Sequence, residues 1–594
     1  MATMKAWRER DWGNGRITQS LVHYLPVLDW GRHYQRGWLT GDLLAGLIVA
    51  IMLVPQGMAY ALLAGLPPQV GLYASIIPLL LYGLLGTSRT LAVGPVAIVS
   101  LLVASGVGQM AQPGSANYWQ LALTLALMIG LIQAGMGLLR IGFVVNFLSH
   151  PVLSGFTSAA AIVIGFSQMK HLLGLKTPQL DFFASVQYTA VHLTDTQPIP
   201  LAIGLAAIAL LFYFKYGLSK HLRQLGLAPG WVTPLAKSGP LVVLLGGTLL
   251  VWALGLEEVV KVVGTVPAGL PPLTLPSTEM AVWRALLPTA LAISFVGFME
   301  SISVAKSLAS KRRQKVVSNQ ELVALGAANV GAAFTGGYPV TGGFSRSVVN
   351  YEAGANTGLA SVVTAVLMAL VVLFLTPLFY YLPQAILAAI ILVAVVGLID
   401  VEMLVHVWRY SRADGVSLLV TFGAVLVWGV ETGILVGVAA AMLLYIWRTS
   451  RPHVAVVGHL RGETYRNVLR HPVQTCEKVV AIRVDESLYF ANTAYLEETI
   501  LQLVADNPSI SDFVLIGAAI NFIDASALET LTALHHELRD AGVTFHLTDI
   551  KGPVMDRLAQ VGMVELFGAE NIHLSAHEAM QAIGCQPGAV EGNR

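Results

Sequence analysis

The sequence predicts a polytopic α-helical membrane protein followed by a small α/β domain, and three observations carry that prediction. The 594 residues are 55% hydrophobic and only 12% charged, where an ordinary soluble domain is about 25% charged. Charge-free runs are far longer than one spanning helix needs: Leu43 to Ser88 is 46 residues, Thr90 to Leu139 is 50 and Leu359 to Ile399 is 41. After Arg451 the pattern changes, and short apolar stretches alternate with charged amphipathic ones. This composition excludes an ordinary soluble enzyme. A net charge of +1 without a long basic run gives no electrostatic reason to expect nucleic acid as a partner.

A spanning helix takes about 20 apolar residues, so each of those runs accommodates two spans and a turn. Similar material at Ile141 to Met169, Ile199 to Tyr216, Pro240 to Leu256, Leu286 to Leu308, Glu321 to Phe334 and Val416 to Trp447 brings the number to about fourteen. The first 40 residues are polar and carry Arg8, Arg10, Arg16, Arg32 and Arg36, so they are expected to be a cytoplasmic segment and not a secretory signal. Every even-numbered span then returns to the cytoplasm. The turns expected there hold Arg89, Arg140, Lys215 with Lys220 and Arg223, the run Lys311 to Lys315, Arg409 with Arg412, and Arg448 with Arg451. That is the positive-inside bias. The expected organisation is a cytoplasmic segment (1–40), a transmembrane domain (41–450), a linker (451–478) and a cytoplasmic domain (479–594), in the cell (inner) membrane.

In the tail, Val479 to Phe490, Phe513 to Ile520 and Thr544 to Ile550 read as strands, and Thr493 to Val504, Ser526 to Asp540 and Val554 to Gly562 as helices. Such alternation predicts a small α/β domain. Asp524 or Ser526 is placed to cap the helix that follows. Only two cysteines occur, Cys476 and Cys585, which argues against a disulfide framework and leaves too few thiolates for a Cys-rich metal site. No metal, cofactor or catalytic residue is expected, and neither G-x-S-x-G nor H-E-x-x-H is present. On LYFANTAYLEE (Leu488 to Glu498) and NFIDASALETL (Asn521 to Leu531) the tail resembles the STAS domain. The resemblance makes Ser526 a candidate regulatory phosphorylation site, although Ala527 follows it where phosphorylated relatives usually have Gly. Its alternative role is part of a plain helix cap.

Several features break apolar helical sequence at membrane depth: Pro55 and Gln56 in the first span, Gly94 and Pro95 at the start of the third, and the Gly-rich stretch Gly336 to Gly354, too short for a full span. Broken backbone there survives only when buried in protein or lining a cavity. The interruptions in the third and tenth segments correspond if the chain is two copies of seven spans, the pattern of an inverted-repeat transporter with a midplane site. Half-helices beginning near Val96 and Phe344 would aim free N–H groups and positive dipole ends at one spot, where an anion is stabilised. The alternative is that the glycines only allow close helix packing. Glu300 lies deep in the eighth segment, where a charge costs about 2.5–3.5 kcal/mol on insertion scales. It is read as a cavity-facing carboxyl that takes a proton as the anion enters, or else as a packing residue paired with Lys306 or a hydroxyl. Arg346 attracts the anion, neutralises Glu300, or anchors its helix to a cytoplasmic crevice. Gln56 and Tyr60 lie four apart on one helix face and offer a polar handle and an aromatic wall, with packing alone the alternative for Tyr60.

From Tyr24 to Ala582 the whole resembles the SulP family of anion transporters, on LVPQGMAYALLAGLPPQVGLYAS (Leu53 to Ser75), SRTLAVGPVAIVSLL (Ser88 to Leu102), NFLSHPVLSGFTSAAAI (Asn146 to Ile162) and YPVTGGFSRSVVN (Tyr338 to Asn350). The resemblance implies seven plus seven inverted repeats split into core and gate domains, elevator-like motion and a homodimer. Carried over by motif, the anion site comprises Gln56, Tyr60, Val96, Phe344, Ser345 and Arg346, with Glu300 beside it for proton coupling. The implied function is secondary active transport of a small inorganic oxyanion, sulfate first, with protons. Bicarbonate or dicarboxylate transport, or uncoupled exchange or conduction, are the alternatives. The implied partners are the anion, protons, the lipid bilayer, a second copy and an unknown cytoplasmic partner of the tail.

Overall fold

The computed structural model describes residues 25–143, 149–175, 181–227 and 229–585. Arg8, Arg10 and Arg16, and the Asn146 end of the NFLSHPVLSGF motif, lie outside them. The chain forms two compact units, Met1–Ala441 and Met442–Arg594.

Among the described residues, fourteen helical segments carry the repeat, with further short helices such as Phe182–Val191 and Val401–Tyr410 between them. The first seven are α1 (Trp38–Leu63), α2 (Ile77–Leu85, led in by the helical turn Pro68–Tyr73), α3 (Ala97–Gly108), α4 (Ala116–Leu138), α5 (His150–Ser167), α6 (Pro198–Phe212) and α7 (Gly239–Leu254). The second seven are α8 (Met280–Lys311), α9 (Ser318–Phe334), α10 (Phe344–Glu352), α11 (Leu359–Phe374), α12 (Gln384–Val395), α13 (Arg412–Trp428) and α14 (Val430–Ser450). Two of them, α3 and α10, are half-length and are each preceded by a two-residue strand: β1 (Val93–Gly94) before α3 and β2 (Thr341–Gly342) before α10.

Helix packing repeats under a shift of seven. α1 packs on α11 as α8 packs on α4; α4 packs on α9 as α11 packs on α2; α5 packs on α13 as α12 packs on α6. Each half therefore supplies what the other lacks, the arrangement of interleaved repeats. Two bundles result: α1–α4 with α8–α11, and α5–α7 with α12–α14. Small residues set the closest approaches. A Cβ on Gly130 of α4 would lie 2.8 Å from the Gly326 carbonyl oxygen of α9, so only glycine admits this contact. Among the glycines, the packing role and the broken-helix role thus both occur, at different positions.

One interruption expected from the sequence is absent. α1 continues through Pro55 without a break. Proline removes one intrahelical donor, and a helix covered by neighbours tolerates this at membrane depth; α1 is buried along its central turns.

The tail has a six-stranded sheet in the order β4-β3-β5-β6-β7-β8, formed by β3 (Val454–Arg461), β4 (Thr464–Asn467), β5 (Val479–Val484), β6 (Asp512–Ile516), β7 (Thr544–Thr548) and β8 (Ile572–His573). β5 to β8 are parallel, and β3 pairs antiparallel with both β4 and β5. Between the parallel strands run α15 (Thr493–Ala505), α16 (Ala525–Asp540) and α17 (Gly552–Gln560), and α18 (Ala576–Ala582) follows β8. Phe513 and Phe545 are adjacent on β6 and β7 and pack with Leu531 and Leu534 of α16. The opposite face, with Ala455, Val457 and Val514, packs on Ala576 and Met580 of α18. Asp524 caps α16, its Oδ1 accepting from the Ala527 amide at 2.8 Å.

Three sequence expectations for the tail change. The segment 451–478, expected as a linker, holds β3 and β4. The first strand ends at Val484 and not Phe490, because the chain turns there to meet the 521–524 loop: the Leu488 amide donates to the Phe522 carbonyl at 3.0 Å and the Phe490 amide to Asp524 Oδ2 at 2.9 Å. Cys476 and Cys585 are joined as a disulfide, with Cα atoms 6.2 Å apart. α18 folds back over the sheet and carries Cys585 to the loop before β5.

Candidate functional site

The centre of the membrane unit is built on β1 and β2. They pair antiparallel, Val93 with Gly342 and Gly94 with Thr341, so the half-helices they introduce leave the ladder in opposite directions with their N-termini facing one another. α3 is preceded by Val96 and α10 by Gly343, both in extended conformation, and no side chain caps either helix. The first-turn amides are therefore left for another acceptor.

Arg346, in the first turn of α10, folds into this junction. It is 2% exposed. Its Nη1 donates to the Pro95 carbonyl at 2.7 Å and to Gln56 Oε1 at 3.4 Å, while Nε and Nη2 are buried without partners. Gly343 makes the space: a Cβ there would lie 2.9 Å from Arg346 Nη2. Arg346 thus bridges the two half-helices and offers two free donors, and it does not point outward as an anchor in a crevice.

Around this guanidinium the structure gathers most of the residues expected from the sequence. Gln56 and Tyr60 of α1 are both buried, and Tyr60, Glu300 and Arg346 lie within electrostatic reach of one another. Glu300 Oε2 is buried and unpartnered. Among the described residues no ion pair joins Glu300 to Lys306, which is exposed. Val96 is buried. Phe344 and Ser345 differ: both are exposed, Phe344 by 57%. Ser526 belongs to the tail, where it is exposed in the first turn of α16 and leaves the cap to Asp524.

A polar scaffold that the sequence reading does not single out holds the ladder. Asn329 of α9 grips the strand leading into β2 from both sides, its Oδ1 accepting from the Val340 amide at 2.8 Å and its Nδ2 donating to the Val340 carbonyl at 3.0 Å. Ser301 of α8 sits 2.7 Å from Thr341 Oγ1 and accepts from the Gly342 amide at 2.9 Å. Ser347 of α10 accepts from the Ala92 amide at 2.9 Å, and Tyr338 Oη lies 2.9 Å from Ser100 Oγ of α3. Two fully buried carboxylates complete the scaffold. Glu321 accepts from Tyr82 Oη, Thr87 N, Thr87 Oγ1 and Ser88 N at 2.6–3.0 Å, and Asp42 from Asn356 N, Thr357 N, Thr357 Oγ1 and Tyr34 Oη at 2.6–3.1 Å. For Asn329, Glu321 and Asp42 the available signal is a charged or amide side chain within or at the rim of an apolar run, where such groups seldom lack a task.

Comparison with known proteins fits this architecture. The profile described as the sulfate permease family matches residues 39–421, and that of the STAS domain residues 471–579. The chain is 37% identical over 571 residues to a protein of Arabidopsis thaliana named probable sulfate transporter 4.2, covering 94% of this chain and 83% of that one. It shares its fold with the murine solute carrier 26 family member A9 anion transporter in the inward-facing state, at a TM-score of 0.88 and 24% identity over 98% of both chains. It also shares it with the transmembrane domain of the cyanobacterial bicarbonate transporter BicA, at a TM-score of 0.57 and 24% identity over 68% of this chain and 98% of that one. With its interleaved sevenfold helices, paired half-helices and C-terminal α/β unit, the chain belongs to the sulfate permease family and carries a STAS domain.

Proposed function

We propose that the protein is a secondary active transporter of a small inorganic oxyanion, sulfate first, driven by protons. In this reading it is a homodimer of the cell's inner membrane with both termini in the cytoplasm. The observation that carries it is the Arg346 guanidinium, buried where two uncapped half-helix N-termini meet and holding two donors free. A tetrahedral oxyanion offers oxygens to that fork and to the first-turn amides together. Gln56, Tyr60, Val96, Phe344 and Ser345 line the approach. Sulfate is favoured over other oxyanions because the similar Arabidopsis protein is named a sulfate transporter.

Glu300 supplies the coupling. With the site empty, its carboxylate offsets the nearby guanidinium. An arriving dianion would add two negative charges beside it in a medium of low dielectric, where like charges strongly disfavour one another. A proton on Glu300 removes one of them, so anion and proton enter together. In the tail, Ser526 is the proposed regulatory phosphorylation position, and the domain is where a cytoplasmic partner docks. Intact mass spectrometry of protein from its native host tests the phosphate.

The transport reading is tested in proteoliposomes. Labelled sulfate should accumulate against its gradient when the outside is acidic, and competition by unlabelled sulfate, bicarbonate and dicarboxylates ranks the substrates. Absence of accumulation for all three classes refutes coupled transport.

A further inference from the structure

We propose that Glu431 and Thr289 form a latch between the two helix bundles, closing the access route on the side where α3 ends and opening in each transport cycle. This rests on the reading above that the chain carries an anion. Glu431 stands in the first turn of α14, in the bundle that does not hold the site. Thr289 of α8 is 3% exposed, and its Oγ1 donates to Glu431 Oε1 at 2.9 Å. The same oxygen presses on α3: a Cβ on Gly106 would lie 2.8 Å from it. One carboxylate from the second bundle thus lies against two of the helices that build the site in the first, α8 and α3.

The position of the contact defines its task. Gly106 is ten residues beyond Val96, about 15 Å along the helix, and Thr289 is eleven before Glu300, about 16 Å at 1.5 Å per residue. Both measures set the latch one helix half-length from the ladder, on the side toward which α3 runs. α10 leaves the ladder the other way, so the closed contact lies to one side of the site. Alternating access requires one bundle to move against the other about such a site. A purely apolar seam would serve for permanent adhesion, since withdrawing a carboxylate from water is unfavourable. A hydroxyl–carboxylate hydrogen bond can instead be exchanged for water when the bundles part.

The test is a reversible bridge. In a Cys476→Ser/Cys585→Ser background, Thr289→Cys and Glu431→Cys are combined and oxidised in proteoliposomes. Relative to the cysteine-free parent, the bridge should form, stop sulfate uptake and release it on reduction, while oxidation leaves uptake by either single-cysteine variant unchanged. A bridge that forms without slowing uptake overturns the latch, as does a pair that does not cross-link. Thr289→Val in the otherwise native chain is the second measurement. In right-side-out and inside-out vesicles its KM should shift in opposite directions on the two faces, by about tenfold for loss of a hydrogen bond to a charged group. Unchanged KM on both faces overturns the latch independently of the bridge. Unmodified protein run alongside separates the two readings, since its failure to move any anion counts against transport itself.

Discussion

Gly343→Ala isolates the contribution of the guanidinium. The backbone at Gly343 has φ −94° and ψ 129°, which alanine adopts without strain. The new methyl would lie 2.9 Å from Arg346 Nη2, 3.1 Å from its Cζ and 3.3 Å from Val96 Cγ1. A flexible side-chain end yields by a few tenths of an ångström at small cost, so folding should be little affected, with thermal stability within about 1 kcal/mol of the parent. What suffers is the aim of the two free donors, and with it a hydrogen bond to the bound anion, while Nη1 keeps its 2.7 Å bond to the Pro95 carbonyl. A hydrogen bond to a charged group contributes about 1.5–3 kcal/mol, or about 10- to 150-fold in an equilibrium. Sulfate uptake, expressed as kcat/KM in proteoliposomes, should therefore fall at least about tenfold while the melting temperature holds. Uptake within twofold of the parent, or a fall explained wholly by lost folded protein, refutes the placing of Arg346 at the centre of the site.

Further outcomes follow from the same structure. Glu300→Gln keeps the shape but not the titration, so uptake should lose its dependence on an acid outside while sulfate–sulfate exchange persists; a retained pH dependence in flux assays counts against Glu300 as the proton carrier. Asn329→Leu leaves the amide and carbonyl of Val340 unpaired in the membrane interior and should cost about 2–5 kcal/mol, read as a lowered melting temperature in detergent. Cys585→Ser opens a covalent loop spanning 109 residues of sequence and should destabilise the tail by up to about 4–5 kcal/mol on loop entropy; denaturant melts equal with and without reductant would contradict it. In the tail, burial and then His546 hold the His573 imidazole below its ordinary value, and burial and then His536 and Arg539 do the same for His535. The unfolded chain then binds more protons, so tail stability should decline as pH falls through about 6.5 and be fully present above it. His573→Gln should flatten that slope in melts across pH 5–8.

The span count, the brevity of α10 and the correspondence of the two interrupted segments are legible because glycine and proline interrupt otherwise charge-free sequence. The ladder between β1 and β2 is not, since a two-residue strand has no periodicity to detect. Nor does the sequence disclose that Arg346 turns into the junction, a matter of helix phase and of the space left at Gly343. Asp42 and Glu321 escape for another reason: their acceptor oxygens are met by loops more than 230 residues distant in sequence. Pro55 misleads because a covered helix can absorb a missing donor. The β3–β4 hairpin lies in a stretch whose charged ends resemble a linker, and the cysteine pairing depends on α18, which the strand and helix patterns do not reveal.

The shift-of-seven packing bears on how the chain is made. α1 finds its main neighbour in α11, and Asp42 its donor loop 315 residues later. At about 5–20 residues per second, a ribosome takes about 15–60 s to supply that stretch. During that interval the early helices sit in the bilayer with their glycine faces and buried carboxylate unmatched, open to capture by quality-control proteases or by insertion chaperones. A gene split between α7 and α8 should therefore yield a working protein only when both fragments are synthesised in the same cell.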